Sequence, residues 1–382
     1  MSQHDKSFEV TPWQVSGQVD YDKLIKQFGT QHLTQELRER LLKDAGERNY
    51  IVERGIYYSH RDLDILLDEY EKGERFFLYT GRGPSGPMHI GHIVQFYFTS
   101  WLQKRFNANV YIQVTDDERF LQEKGLSLED TARFSYENIL DIIAAGFDPD
   151  KTFIFQNTEF MGRMYRLTLK IAQKVNFSVV RAVFGFTSET NIGFVFYPAV
   201  QIAPSLFERR RCLIPSAIDQ DPFWRIQRDI AESLGYKKTS AIHSKFLPSL
   251  TGPAGKMSAS MPETAIYLSD DEKKVRDKIW KNAFSGGRTS IEEHRRFGGN
   301  PDVDVSYQWL YMFFEPDDKR IRQIREEYIS GKMLSGELKQ ILIEKVNSFL
   351  DQHRKRREKA KDEIELYKRN GKLASKMWEA DL

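Results

Sequence analysis

From residue 75 onward, segments with the hydrophobic pattern of β-strands alternate with segments that have the spacing of helices. The predicted strands are residues 76–80, 109–115, 152–155 and 211–214, and the predicted helices between them include 89–106 and 128–145. Strands and helices in this order form right-handed βαβ units around a parallel sheet, which binds its ligands at the carboxyl ends of its strands. The sequence therefore predicts an α/β fold with a ligand site at that edge.

The 382 residues are enough for two to three domains of about 150 residues each. After residue 262 the alternation stops and only helical spacing continues, over residues 270–284, 304–314, 319–329 and 337–368. We therefore expect an N-terminal extension over residues 1–74, a Rossmann-like parallel-sheet domain over 75–262 and an α-helical domain over 263–382. The last residues of the helical domain can return to pack on the sheet domain.

Two helices are predicted within the N-terminal extension. Leu33, Leu37 and Leu41 recur every four residues around Thr34. Threonine often caps helix N-termini, so a helix is predicted to begin at Thr34. Ser59 and Asp62 have the spacing of a capping box, which predicts a second helix that begins at Ser59 and ends at Gly73.

Composition narrows the classes of function. Lys and Arg number 57 against 55 Asp and Glu, a net charge of +2, so the chain is not a globally basic nucleic-acid binder. The single cysteine, Cys212, excludes an internal disulfide, and we expect no protein-bound zinc or iron–sulfur cluster. Because the N-terminus lacks the apolar run of a signal peptide and no stretch reads as a membrane span, we expect a cytoplasmic protein with no membrane partner.

The strongest motif joins the first predicted strand to the helix that follows it. Gly81, Gly83 and Gly86 let the backbone approach a ligand closely, and the free N–H groups of a helix start favour phosphate. His89 and His92 lie three residues apart, hence on one face of the first helical turn, where both imidazoles can donate to phosphate oxygens. An HxGH motif is expected by chance only about 0.01 times in such a chain, so it favours a nucleotide site over a capped surface helix.

A second motif lies near the end of the sheet domain. A loop that contains two glycines ends in Lys256, Met257, Ser258, Ala259 and Ser260. A lysine on such a flexible loop can close over a polyphosphate and stabilise its growing charge. Alone, a loop of this composition is usually only solvated, but its position after the histidine motif favours the nucleotide interpretation.

Together the two motifs resemble the HIGH and KMSKS signatures of class I aminoacyl-tRNA synthetases. Residues 217–221, Ala-Ile-Asp-Gln-Asp, are similar to a signature shared by the tyrosine and tryptophan enzymes, in the form typical of the tryptophan branch. The Lys-Met-Ser-Ala-Ser form, residues 113–118 and residues 284–288 favour the same branch. The resemblance runs from about residue 8 to the C-terminus and is greatest to the eukaryotic cytosolic type.

This resemblance implies a homodimeric ligase that activates L-tryptophan with ATP and transfers it to the 3′ end of tRNA(Trp). A selective pocket must offer an acceptor to the indole N–H. The matching residues are Tyr79 and Gln113 for the indole, Glu118, Gln201 and Gln220 for the ammonium and carboxylate region, and Arg119 for the carboxylate. Trp224 and its neighbour Phe223 either form a wall of the ring pocket or belong to the core.

The resemblance also implies an ATP site, with Mg²⁺ bound to the nucleotide. The matching residues are Gly81, Arg82, Gly83, His89, Gly91, His92, Asp219, Lys256, Met257 and Ser258, with catalytic roles for His89, His92, Lys256, Ser258 and Ser260. Ala259 departs from the pattern because it replaces the second lysine of KMSKS. Lys256, Mg²⁺ or another cation must therefore neutralise the pyrophosphate.

Two charged segments leave alternatives open. Asp116 and Asp117 precede Glu118, but neighbours on a strand point to opposite faces, so we interpret the pair as structural or helix-capping and expect no protein-bound metal. The basic run at residues 354–357 is interleaved with acids further along its helix, which is typical of a solvated face. The competing hypothesis is that the helical domain docks the tRNA anticodon.

Three other functions compete with tryptophan activation. A tyrosine-specific synthetase would share most motifs, although residues 217–221 and the Ser-Ala-Ser loop favour tryptophan. A small adenylyltransferase also uses HxGH at a helix start, but it has no obvious use for the helical domain. A non-catalytic RNA-binding relative would have lost its phosphate-handling residues, whereas His89, His92 and Lys256 are all present.

Overall fold

The structure, a computed structural model, describes residues 8–10, 15–17, 19–257 and 261–382. The strands are β1 (Phe8–Val10), β2 (Val15–Gly17), β3 (Gln31–His32), β4 (Tyr57–Arg61), β5 (Phe77–Arg82), β6 (Val110–Val114), β7 (Thr152–Gln156), β8 (Cys212–Ala217), β9 (Ser240–Ser244), β10 (Pro248–Ser249) and β11 (Gly252–Lys256). The helices are α1 (Tyr21–Phe28), α2 (Gln35–Ala45), α3 (Tyr50–Glu53), α4 (Leu63–Glu71), α5 (Ile90–Phe106), α6 (Asp116–Gln122), α7 (Leu128–Ile143), α8 (Asn157–Lys174), α9 (Phe177–Phe184), α10 (Ile192–Ile202), α11 (Asp221–Ile230), α12 (Glu272–Asn282), α13 (Ile291–Phe297), α14 (Val305–Trp309), α15 (Asp318–Ile329), α16 (Ser335–Glu365) and α17 (Lys372–Glu379). Within these described ranges, no helix combines the length and the apolar composition needed to cross a membrane.

The main sheet has seven strands in the order β3-β4-β9-β8-β5-β6-β7. β5 pairs in parallel with β6 and with β8, β6 pairs in parallel with β7, and β8 with β9. β4 runs antiparallel to β9, and β3 runs antiparallel to β4. The predicted α/β class with a Rossmann-like parallel sheet and a helical C-terminal region is confirmed, and an antiparallel edge is added that the strand–helix alternation did not indicate.

The strand order reverses at β5, because β6 and β7 lie on one side of it and β8 and β9 on the other. Open α/β sheets bind ligands in the crevice outside the carboxyl ends of the strands at such a reversal. β5 ends at Arg82 and β8 ends at Ala217. The histidine motif and residues 217–221, which follow these two strands, are therefore brought to the same crevice.

The N-terminal region differs from its prediction in one helix start. Thr34 caps α2 as expected, its hydroxyl accepting the Leu37 N–H at 3.3 Å. Ser59, however, lies within β4 opposite His243 of β9, and α4 begins only after Asp62. The prediction of a helix start at Ser59 is wrong because pairing with β9 outweighs the local capping-box spacing. β3 and β4, which fall within the predicted extension over residues 1–74, are strands of the main sheet.

The helical region after residue 262 shares a core with the sheet region. One continuous buried cluster contains Leu66 of α4, Ile93 of α5, Trp309 of α14 and Leu342 of α16. The Trp309 indole N–H donates to the Pro248 carbonyl at 3.0 Å. A chain truncated at residue 262 would expose this cluster to water, so deletion cannot test what the helical region does.

The last helix returns to the sheet, as the sequence allowed. Trp378 of α17 packs edge-on against Phe160 of α8, with 5.0 Å between ring centroids, and also approaches Phe153 of β7. Its indole N–H donates to the Lys368 carbonyl at 2.7 Å. The C-terminus is therefore fixed beside the outer strand of the parallel part of the sheet.

Candidate active site

The histidine motif occupies the turn between β5 and α5. The His92 Nδ1 accepts the backbone N–H of His89 at 3.3 Å, and the two imidazole rings stack with their centroids 3.5 Å apart. A nitrogen that accepts a hydrogen bond carries no proton, so neutral His92 holds its proton on Nε2. In the neutral form, the ring donor of His92 is therefore Nε2–H, a group that can donate to a phosphate oxygen.

Close packing explains the glycine between the two histidines. A Cβ atom added to Gly91 would lie 3.2 Å from the His89 ring and 3.6 Å from the Met257 Cβ. Backbone hydrogen bonds join Ile90 N–H to the Ile266 carbonyl and Leu268 N–H to the Met88 carbonyl, both at 3.0 Å. The histidine turn therefore contacts Met257 of the second motif and pairs with the segment that follows this motif.

The second motif is only partly described. Lys256 is the last residue of β11, where it pairs with Pro248 of β10. Ser258, Ala259 and Ser260 lie outside the described residues, so the roles expected of Ser258 and Ser260 stay predictions. Met257 is buried beside Gly91.

A cavity of about 270 Å³ lies at the carboxyl ends of β5 and β8. The predicted site residues that line it are Tyr79, Gly81, Arg82, Gly83, His89, Gly91, His92, Glu118, Arg119, Gln201, Asp219, Gln220, Trp224 and Met257. Gln113 is buried but does not line the cavity. The structure thus brings residues from distant parts of the sequence around one space.

One end of the cavity is organised by the Tyr79 hydroxyl. This hydroxyl lies 2.5 Å from Gln113 Oε1 and 3.0 Å from the Gln201 carbonyl oxygen. The Gln113 amide also donates to Asn157 Oδ1 at 2.8 Å and to the Val200 carbonyl at 3.2 Å. Burial raises the pKa of Tyr79 well above its usual range, so the hydroxyl stays protonated. Tyr79 lines the cavity, and Gln113, which does not line it, fixes the Tyr79 hydroxyl through a hydrogen bond.

Aromatic rings enclose the same end. Trp224 stands edge-on to Tyr79 with centroids 5.5 Å apart, and Phe223 lies beside it. Both side chains line the cavity and also belong to a buried apolar cluster. Phe223 and Trp224 therefore line the cavity and belong to the core at the same time, so the two alternatives for this pair are compatible.

Charged groups line the wall next to the glycine turn. Glu118 is buried at the start of α6, where its Oε2 accepts from the Thr115 hydroxyl at 2.8 Å. Arg119 packs so tightly over Gly83 that a Cβ there would come within 2.2 Å of its Nε. Burial, followed by repulsion from Arg119, lowers the pKa of Arg82 to about 9. Two guanidinium groups beside one carboxylate can bind a ligand that carries both signs of charge.

Asp116 and Asp117 serve the structure instead. Asp116 accepts from the Thr158 backbone N–H at 3.2 Å, and Asp117 accepts from the Asn157 amide at 2.7 Å. These contacts join the start of α6 to the start of α8, which agrees with the structural interpretation. Burial raises the pKa of Asp117 to about 7. In the part of the chain that the structure describes, no group of three His, Cys, Asp or Glu side chains could hold a metal ion.

The sequence analysis missed polar residues that come from helices between the motifs. Asn138 of α7 accepts from Arg82 Nε at 3.0 Å and donates to the Gly86 carbonyl at 2.9 Å. The Tyr197 hydroxyl of α10 donates to Gln201 Oε1. Neither residue belongs to a motif, and a single amide or phenol on a helix carries no local signal, so only the fold reveals them.

The basic run on α16 does not form a free positive surface. Arg354 donates to the Asp270 carbonyl at 3.0 Å, and Arg356 donates to the Ala144 carbonyl at 2.8 Å. Arg357 Nε lies 2.9 Å from Asp141 Oδ1. Arg356 and Arg357 hold α16 against the end of α7, whereas Lys355 and Lys359 are exposed, so the run is a solvated face in part and a packing contact in part.

Comparison with known proteins gives consistent matches. The model of a family described as class I tRNA synthetases (W and Y) matches residues 71–351. The tryptophan–tRNA ligase of Saccharolobus solfataricus is 62% identical over 372 residues, which cover 97% of this chain and 98% of the relative. That of Pyrococcus abyssi is 56% identical over 375 residues, 98% of this chain and 97% of the relative.

Solved structures give the same result. The tryptophanyl-tRNA synthetase from Giardia lamblia has a TM-score of 0.86 at 38% identity and covers 91% of this chain and 95% of its own. The enzyme from Encephalitozoon cuniculi, bound to tryptophan, has a TM-score of 0.85 at 40% identity and covers 92% and 98%. The curated relatives named above are archaeal, so the eukaryotic cytosolic type expected from the sequence is not confirmed.

Proposed function

The chain belongs to the class I aminoacyl-tRNA synthetases as a tryptophan–tRNA ligase, and on this premise we propose how its residues carry out the reaction. The enzyme joins L-tryptophan to ATP as tryptophanyl-adenylate with release of pyrophosphate, then transfers tryptophan to the 3′ end of tRNA(Trp). The observation that carries our assignment of roles is the cavity at the ends of β5 and β8. It places a histidine pair and two arginines next to an aromatic pocket.

In the first step, a carboxylate oxygen of tryptophan attacks the α-phosphorus of ATP and pyrophosphate leaves. No side chain acts as nucleophile, so the protein acts by positioning the reactants and stabilising charge. His92 donates from Nε2, and the first turn of α5 adds the positive potential of its free N–H groups. Arg82 and Gly83 lie beside the phosphates, and Asp219 contacts the ribose.

Tryptophan binds at the aromatic end of the cavity. The Tyr79 hydroxyl oxygen accepts the indole N–H while its own proton is donated to Gln113, which fixes its orientation. Glu118 pairs with the substrate ammonium, Arg119 meets the carboxylate, and Gln201 and Gln220 complete the polar side. The phenol of tyrosine could also donate to this acceptor, so the larger ring of tryptophan against the aromatic end is what favours tryptophan.

Mg²⁺ enters with ATP in this proposal. Among the described residues, no three ligating side chains cluster together, so we assign none of them as a ligand of the ion. Arg82 and Arg119 supply positive charge on the cavity wall. When Mg²⁺ is bound to the phosphate oxygens of ATP, it adds charge neutralisation to that of Lys256.

Lys256→Ala tests the role of the second motif. We expect the rate of adenylate formation to fall by about 100-fold or more, because a cation that stabilises developing phosphate charge is lost. The Kd for tryptophan without ATP should change by less than about 3-fold. Single-turnover kinetics and equilibrium dialysis measure the two quantities. Lys238→Ala, at a surface lysine paired with Glu232, is the control, and equal losses in rate and tryptophan binding would show that the loop only shapes the pocket.

The helical region is proposed to dock the tRNA anticodon. Since Arg354, Arg356 and Arg357 bind within the protein, the support comes from α13, where Arg296 lies over the ring of Phe297 and both side chains are exposed. Unstacked RNA bases bind to such aromatic and guanidinium surfaces. This proposal places anticodon contacts far from the cavity, so they affect tRNA charging and not adenylate formation.

A homodimer is proposed from an apolar patch on α8, α9 and α10. Ile192 is 88% exposed and Phe177 51%, and Tyr165 and Leu169 are also exposed. Large exposed apolar side chains on neighbouring helices are typical of protein interfaces. A second copy of the chain is the occupant that family membership implies.

Ile192→Glu is expected to convert the dimer to a monomer. A carboxylate at an interface centre has no partner and loses its hydration, which costs several kcal/mol. Sedimentation equilibrium measures the change in mass. Ile65→Glu, at an apolar residue on α4 that is 41% exposed, should leave the mass unchanged. A wild-type protein that sediments as a monomer would contradict the proposal.

Two finer assignments complete the proposed function, the sequence branch of the enzyme and its compartment. The solved structures from eukaryotes, at TM-scores of 0.85 and 0.86 over more than nine-tenths of the chain, support the eukaryotic cytosolic type as the sequence branch. The relatives at higher identity are archaeal, so this assignment stays a proposal. We place the enzyme in the cytoplasm, where translation consumes charged tRNA.

A further inference from the structure

The Asn138 side chain on α7 is fully buried, and both its oxygen and its nitrogen form hydrogen bonds. Its Oδ1 accepts from Arg82 Nε at 3.0 Å, and its Nδ2 donates to the Gly86 carbonyl at 2.9 Å. A buried amide is costly unless its hydrogen bonds are made. Leucine would fill the same volume without this cost, so the contacts themselves are the reason for asparagine here.

The two partners of Asn138 flank the glycine turn. Arg82 is the last residue of β5 and lines the cavity, and Gly86 lies halfway between Arg82 and the His89 that caps α5. Asn138 therefore links the end of β5 to the glycine turn, the segment that we propose faces the phosphates. Its contact with Arg82 engages Nε, so the Nη groups are those that Arg82 can offer to a phosphate.

The position of Asn138 is itself fixed from α16. Asp141 lies three residues further along α7, on the same helix face. Its Oδ1 is 2.9 Å from Arg357 Nε and 3.1 Å from the Nε2 of His353, which is fully buried. The Tyr97 hydroxyl of α5 lies 3.1 Å from Nδ1 of the same histidine. α7 is thus held against α16 and α5 one turn away from Asn138.

We propose that Asn138 is a positioning residue for ATP, which holds Arg82 and the Gly86 turn in the geometry that receives the phosphates. The inference rests on the proposed function, in which Arg82 lies beside the phosphates. Asn138 touches neither substrate, because it acts through Arg82. Its replacement should therefore weaken the use of ATP and leave tryptophan binding intact.

The test is a cycle of Asn138→Leu, Arg82→Gln and the double variant in full-length protein, assayed by tryptophan-dependent ATP–pyrophosphate exchange. Loss of a buried hydrogen bond to a charged group should raise the KM for ATP by about 10- to 100-fold in Asn138→Leu. In protein that already carries Arg82→Gln, adding Asn138→Leu should raise the KM for ATP by less than about a further 3-fold. An equal effect in both backgrounds would show that Asn138 does not act through Arg82 and would overturn the proposal.

Two further variants separate positioning from stability. Ser135→Ala removes a different buried hydrogen bond on α7, from the Ser135 hydroxyl to the Thr131 carbonyl at 2.7 Å. It should lower the Tm and leave the KM for ATP unchanged, and a similar rise in KM would assign the effect to helix stability. Asn138→Asp keeps an acceptor for Arg82 and should raise the KM less than Asn138→Leu, which also provides a measurement if the leucine variant does not fold. A rise as large as that of the leucine variant would contradict the role of the acceptor.

The test distinguishes a failure of the proposed function from a failure of the positioning role. If wild-type protein shows no exchange with tryptophan and ATP, the proposed function fails before any variant is compared. If wild-type protein is active and the Kd for tryptophan rises in Asn138→Leu as much as the KM for ATP, only the positioning role fails.

Discussion

His92→Ala is expected to lower the rate of tryptophanyl-adenylate formation by about 100- to 1000-fold, the usual loss when one preorganised donor to a developing charge is removed. The donor is the Nε2–H, because Nδ1 is occupied by the His89 N–H at 3.3 Å. Single-turnover measurement with saturating ATP and tryptophan gives the rate of the chemical step directly.

A matched variant distinguishes the donor from the shape of the turn. His92→Asn retains an acceptor that can take the His89 N–H and an amide that can donate, so it should keep more activity than alanine. The Kd for tryptophan in the absence of ATP should stay within about 3-fold in both variants. A loss below about 3-fold in His92→Ala would remove this histidine from the mechanism.

Glu118→Gln should raise the KM for tryptophan by about 30- to 4000-fold, because truncating the charge of a buried, hydrogen-bonded pair costs about 2–5 kcal/mol. Glutamine keeps the shape of the side chain and an oxygen that can accept from the Thr115 hydroxyl, which lies 2.8 Å from Glu118 Oε2 in the wild-type protein. The substrate ammonium, however, loses its counter-charge. The KM for ATP should change by less than about 3-fold.

Glu123→Gln is the control for this prediction. Glu123 lies on the same side of Arg119, 3.5 Å from its Nη1, but does not line the cavity. Its replacement removes a comparable charge near the same guanidinium and should leave the KM for tryptophan within about 3-fold, as expected of a partly exposed ion pair. If both variants raise this KM equally, the effect comes from Arg119 and not from a direct contact of Glu118 with tryptophan.

The sequence predicted four of the five parallel strands, β5 to β8, because each βαβ unit has its own hydrophobic pattern, but it missed β9. Residues 89–106 were predicted as a helix, and α5 spans Ile90–Phe106. β4 was not predicted, because Ser59 and Asp62 imitate a helix start and the partner strand β9 lies about 180 residues later. Local spacing cannot report a pairing of that range.

The candidate site divides in the same way. His89, Gly91 and His92 are close in sequence and lie within one turn, so the motif alone predicted their arrangement. Asn138 contacts Arg82 and Gly86 of distant elements, and Tyr197 contacts Gln201 one turn along α10; their neighbours in sequence do not indicate these contacts. The arginines at 354–357 show the reverse case, since their charge is evident in sequence but their partners, Asp141 and two carbonyl oxygens among them, are set by tertiary packing.

The most direct test of the account is tryptophan-dependent exchange of pyrophosphate into ATP without tRNA, measured with L-tryptophan and with L-tyrosine. The arrangement of Tyr79, Glu118 and the histidine pair predicts rapid exchange with tryptophan and none above background with tyrosine. Exchange that depends on tyrosine would contradict the pocket assignment while leaving the class I reaction in place. Silence with both amino acids in well-folded protein would contradict the activation chemistry itself.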